Sequence, residues 1–271
     1  MFTQLVKGYT HHPYHIINSS SWPFNTSLSL NSALYYFLWH KLFLVKLISL
    51  YALNPFNFIV YAYFWWKDIE KESSYEGYHD SVPHISLKIG VFLFIVSEVM
   101  FFFSFFWAFF HFSLSCAVDV NVWPPQGIQA FDFTCLPLVN TLLLILSGST
   151  ITYGHHSILS NHLTHKTLLM IIICVIVCSF LFTFLQLQEY LQSPYEFADS
   201  SFGSIFFLAT GFHGIHVLIG SFLIIYNMLR FGSRNNFSIQ HHLGFESAIW
   251  YWHFVDVVWL ILFGLVYCWG G

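Results

Sequence analysis

Residues 93–110 read LFIVSEVMFFFSFFWAFF, a run in which Glu98 is the one ionisable side chain. Hydrocarbon offers backbone N–H and C=O groups no partners, so a segment that crosses it must be an α-helix or a strand of a closed barrel. The run is apolar at successive rather than alternate positions, which selects the helix. Extended to its polar flanks it covers 84–111, and four comparable runs follow at 134–156, 167–190, 201–229 and 244–269. Each reaches the roughly 20 residues needed to cross a bilayer core.

Composition agrees with this reading. Of 271 residues, 56% are hydrophobic and 8% are Asp, Glu, Lys or Arg, against about 25% charged residues in a soluble domain. Two weaker spans are expected at 22–40 and 42–66, a helix pair interrupted by Lys41, Lys46 and Asn54-Pro55. The fold class is therefore all-α: a polytopic membrane protein of seven helices in one transmembrane domain, 1–271. Within it, 1–66 is the N-terminal helix pair, 67–83 a polar loop and 84–271 a five-helix bundle.

Basic residues orient the chain. With the N-terminus inside, Lys7, Lys67, Lys71, Lys88, Lys166, Arg230 and Arg234 fall on the inner side, and Lys41 and Lys46 on the outer. That is the positive-inside bias, and Trp65, Trp66, Trp123 and Trp269 sit at span ends where amphipathic rings favour the interface. A net charge of −4 excludes a long basic or acidic binding surface. The N-terminus has neither the charged and apolar regions of a signal peptide nor the character of an Arg-rich transit peptide.

An ionisable group inside a span is a functional candidate because placing it there costs roughly 2.5–3.5 kcal/mol or more. Glu98 stands first, as a proton-related carboxyl or as a neutral glutamic acid bonding a neighbouring helix. His253 and Asp256 are three apart and share a face, which reads as a structural pair that locks two helices. His213 and His216 are expected on one face of their helix, and Glu189 and Glu246 near the interfaces. Sixteen His raise a haem or metal reading, but the adjacent pairs 155/156 and 241/242 diverge on a helix, and no spacing demands a ligand set. No metal site and no catalytic residue is expected. Cys174 and Cys178 share an apolar face as small hydrophobes, and no CxxC occurs. Motifs for nucleotide hydrolysis, dinucleotide binding and the common hydrolases are missing from the sequence.

Longer strings carry more information. HHPYHIINSSSWP (11–23), WWKDIEKESSYEGYH (65–79), FIVSEVMFFFSFFWAFFH (94–111), WPPQGI (123–128) and LVNTLLLILSGSTITYGHHS (138–157) occur in this order. They are followed by LQEYLQSPYEFADSSFGSIFFLATGFHGIHVLIGS (187–221) and HHLGFESAIWYWHFVDVVWL (241–260). The series resembles the cytochrome c oxidase subunit III family over nearly the whole chain.

That resemblance implies a two-helix and a five-helix bundle with a V-shaped lipid cleft, in a non-redox core subunit of respiratory complex IV. Haem a, haem a3 and copper then lie in partner subunits, with structural phospholipids on this one. Subunits I and II and accessory subunits are its implied partners. Its implied work is to stabilise subunit I and to support proton uptake and oxygen access while oxygen is reduced to water and protons are pumped. It implies the mitochondrial inner membrane, with the N-terminus on the matrix side and the C-terminus towards the intermembrane space. Carried over by position, Glu98 is the family's buried, reactive carboxyl. Trp66, Lys71, Glu72 and His79 match lipid-headgroup contacts, and Phe94 an acyl-chain contact. Lys67 and Lys71 replace arginines of the family pattern, so point charges stand where bidentate forks are usual. A quinol-oxidising relative and a small transporter using Glu98 are the alternatives.

Overall fold

The computed structural model describes residues 14–43, 48–115, 122–160, 162, 164–234 and 242–270. It contains seven long helices and no strand among those residues: α1 (Trp22–Phe43), α2 (Ile48–Ser74), α3 (Ser81–Leu114), α4 (Leu136–Leu159), α5 (His165–Gln192), α6 (Ser201–Arg234) and α7 (Leu243–Leu262). A π turn, Phe263–Trp269, continues α7. Five of them, α3 to α7, are long and apolar enough to cross a membrane. The first two are helical as expected but less apolar, since Asn25, Asn31, Asn54, Pro55 and Asn57 dilute them.

The expected polar loop at 67–83 is mostly helix. Lys67–Ser74 prolong α2 and α3 already begins at Ser81, because Lys, Asp and Glu in KDIEKE are compatible with a helix that has left the bilayer. Cys135 precedes α4, which has Pro137 in its first turn, where a missing N–H costs nothing. Thr164 caps α5 by accepting from Thr167 N at 3.2 Å.

The chain divides into two compact units, Met1–Leu87 and Lys88–Gly271. In the first, α1 packs along α2, with the Trp22 ring stacked on Phe64 (centroids 5.4 Å apart) and its Nε1 donating to Asp68 Oδ2 at 2.7 Å.

In the second unit α4, α5, α6 and α7 close a ring, each packed on the next and α4 packed on α7. Trp252 and Trp259 fill its centre, both fully buried. Each indole is satisfied by a hydroxyl on α4: Trp252 Nε1 donates to Ser147 Oγ (3.1 Å) and Trp259 Nε1 to Thr141 Oγ1 (2.9 Å). Those hydroxyls pass their own hydrogens back to Leu144 O and Pro137 O, so no polar atom of either pair is stranded. Gly220 lets α6 approach Trp252; a methyl there would stand 2.8 Å from the ring.

Helix α3 approaches its neighbours less closely at backbone level and reaches them through large side chains. Phe102 and Phe109 are buried, and Phe101 meets Phe212 edge-on at 5.0 Å. Its most apolar stretch is 6% buried, against 50% for α7. A helix apolar all round and so exposed belongs against lipid or another membrane subunit.

Candidate functional site

Glu98 and His216 lie near the midpoints of α3 and α6, each 34 residues long, and meet between them. Glu98 Oε2 is 2.8 Å from His216 Nε2, and His216 Nδ1 is 2.6 Å from the carbonyl of Phe212. The carbonyl can only accept, so Nδ1 carries a hydrogen. Nε2 then either accepts from a protonated Glu98 or, as imidazolium, donates to a carboxylate. In both forms the contact holds one proton and the pair is neutral. Aromatic rings surround it: Phe102 edge-on at 5.0 Å, Tyr251 stacked at 6.1 Å and Phe254 at 6.1 Å. Lys88 Nζ and Glu246 Oε2, 2.8 Å apart, tie α3 to α7 as a second polar clasp.

His213 and His216 do not act together. His213 packs against Phe182 and Trp259, fully buried, with neither ring nitrogen hydrogen-bonded. The two are three residues apart on one side of α6, but an offset of about 60° lets them reach different neighbours. Depth matching of Glu98 with His216 was the signal that sequence reading left unused.

His253 Nδ1 lies 3.6 Å from Asp256 Oδ2. Thr152 Oγ1 donates to Gly148 O and so accepts from His253 Nε2 at 3.2 Å. Asp256 occupies space left by Gly148, where a methyl would come within 2.5 Å of Oδ2. The pair thus bridges α7 to α4. Glu189 lies near the end of its helix as expected, but is 1% exposed and bonded to Gln186 and Tyr267. His155 Nε2 and His242 Nε2 meet at 3.3 Å. No group of three or more metal-ligating side chains occurs among the described residues. Cys174 and Cys178 are free thiols 3.8 Å apart.

The Met1–Leu87 unit contains a cavity of about 760 Å³ lined by His15, Trp65, Asp68, Lys71, Glu72 and His79, among others. His15 Nε2 sits 3.3 Å from Glu72 Oε2 and its ring stacks on Tyr78 at 4.7 Å. Lys71 Nζ is 3.6 Å from Glu76 Oε1 and largely exposed. Burial, then the neighbouring His15, holds the His79 imidazole below its usual range, despite the pull of Glu72. Of the residues matched to lipid contacts, Lys71, Glu72 and His79 converge here, whereas Trp66 is half-exposed and does not line the cavity. Phe94 belongs to the other unit and stacks on Tyr251 at 6.3 Å.

The family model for cytochrome c oxidase subunit III matches residues 12–271. The chain belongs to the cytochrome c oxidase subunit III family. It is similar to cytochrome c oxidase subunit 3 of Drosophila melanogaster, 44% identical over 97% of this chain and 99% of the relative. The protein of that name from Arabidopsis thaliana is 45% identical over 96% and 97%, and that of Chondrus crispus 41% over 99% and 98%. As a member of the subunit III family the chain is a subunit of an oxidoreductase complex.

Proposed function

We propose that the chain is a non-redox core subunit of complex IV that stabilises subunit I and supports proton uptake and oxygen access. The proposal includes the mitochondrial inner membrane, an N-terminus on the matrix side, and subunits I and II with accessory subunits as partners. It also includes haem and copper held by those partners, with phospholipid in the cavity around Lys71. The observation that carries it is the Glu98–His216 contact. A carboxyl and an imidazole that share one proton can take up a second and return it while α3 stays attached to α6, which suits a supporting proton station.

Glu98→Gln tests this in the assembled oxidase. A glutamine keeps a donor for His216 Nε2 but cannot release a proton. Assembly and oxygen reduction should persist, while proton uptake during turnover should fall modestly. Complete loss of turnover in an assembled Glu98→Gln oxidase would contradict the proposal. A haem absorption band in the chain purified alone would contradict its non-redox part.

A further inference from the structure

The C-terminal end of α5 carries a buried polar cluster distinct from the Glu98 pair. Glu189 Oε2 accepts from Gln186 Nε2 at 2.9 Å and from the Tyr267 hydroxyl at 3.1 Å. Gln186 Nε2 also lies 3.4 Å from the Tyr267 oxygen, and Asn140 Nδ2 donates to Gln186 Oε1 at 3.5 Å. Donors from α5 and the π turn after α7 thus converge on one oxygen of Glu189, and Asn140 of α4 joins the cluster through Gln186. Two acceptors in the cluster are left over. Glu189 Oε1 and Asn140 Oδ1 are both buried without a hydrogen-bond partner.

The titratable groups facing Glu189 are Tyr190 and Tyr267, with Tyr195 from the α5–α6 connection. Each is a neutral acid, and no ion pair among the described residues reaches Glu189. A carboxylate here would be a buried charge with no cation beside it, which is strongly unfavourable. A carboxylic acid instead turns Oε1 from an orphan acceptor into a donor. Its hydrogen then needs an acceptor, and Asn140 Oδ1 needs a donor. Oε1–H donating to Oδ1, directly or through one water, satisfies both. The π turn that brings Tyr267 to this point is itself a form concentrated at functional sites.

We infer that Glu189 is a second proton-binding site of this chain, a neutral carboxylic acid whose hydrogen is accepted by the orphan amide oxygen of Asn140. Infrared difference spectra of the purified oxidase containing the chain, recorded in H2O and D2O, test it. A deuterium-sensitive carbonyl band of a protonated carboxyl should be present in the wild type and in Glu98→Gln and lost in Glu189→Gln. Asn140→Ala should keep that band and shift it to higher frequency, because the acid loses the acceptor of its hydrogen. Identical carboxyl bands in the wild type and Glu189→Gln overturn the inference. Should Glu189→Gln fail to assemble, the Asn140→Ala spectrum decides: an unshifted band overturns the inference and a shifted one supports it.

Discussion

The Phe212 carbonyl decides how Glu98 and His216 behave. It fixes the Nδ1 hydrogen, so Nε2 and the Glu98 carboxyl have one proton to divide, and removing either partner strands the other in an apolar site. His216→Leu leaves the Glu98 carboxyl without an acceptor, which costs roughly 1–3 kcal/mol. Replacing both with Leu removes the stranded group, so the double variant should recover much of that loss. Denaturation midpoints of the assembled oxidase check this; equal midpoints for the single His216→Leu variant and the wild type would show that the contact holds nothing together. Glu98 itself was legible in the sequence, because one carboxyl in LFIVSEVMFFFSFFWAFF stands out against its neighbours. Its partner was not, because the contact depends on how two helices are rotated, and no single helix records that. The burial of Glu189 was not legible for a related reason. Its position three residues from the end of α5 suggests water nearby, but Gln186 and Tyr267 bond it in the interior.

At the scale of elements, apolar run length located α3 to α7 to within three residues at their starts, and the π turn carried the last span to Trp269. The ends of α2 were harder. Charged residues that leave the bilayer look like a loop in composition, yet favour continuing the helix, and KDIEKE did so. That extension places Asp68, Lys71 and Glu72 on a rigid surface around the cavity instead of on a loop. Lys71 is then an accessible cation beside Glu76, at a wall where burial holds the His79 imidazole below its usual range, which fits a phosphate with polar groups around it. Lys71→Glu should lower the number of phospholipids that copurify with the oxidase, without loss of the chain from the complex. Lipid phosphorus per haem measures it, and an unchanged ratio would remove Lys71 from the lipid site.

For the whole molecule, the distribution of polar groups follows from having a bilayer as solvent. Hydroxyls bond their own helices, indoles bond hydroxyls, and carboxyls are paired or buried in clusters. Large aromatic side chains fill the wide gap between α3 and its neighbours. The proposed direction across the membrane rests on charge at the ends of the spans. Lys67, Lys71 and Lys88 flank the junction of α2 and α3, Lys166 opens α5, and Arg230 and Arg234 close α6. The proposed orientation requires that in alternating helices these ends fall together on the side that retains cations. A tag at the N-terminus should therefore resist protease added to intact mitoplasts and become accessible when they are opened. A tag after Gly271 should be cut in both. Cleavage of the N-terminal tag in sealed mitoplasts would reverse the orientation and place the Lys71 cavity on the other side.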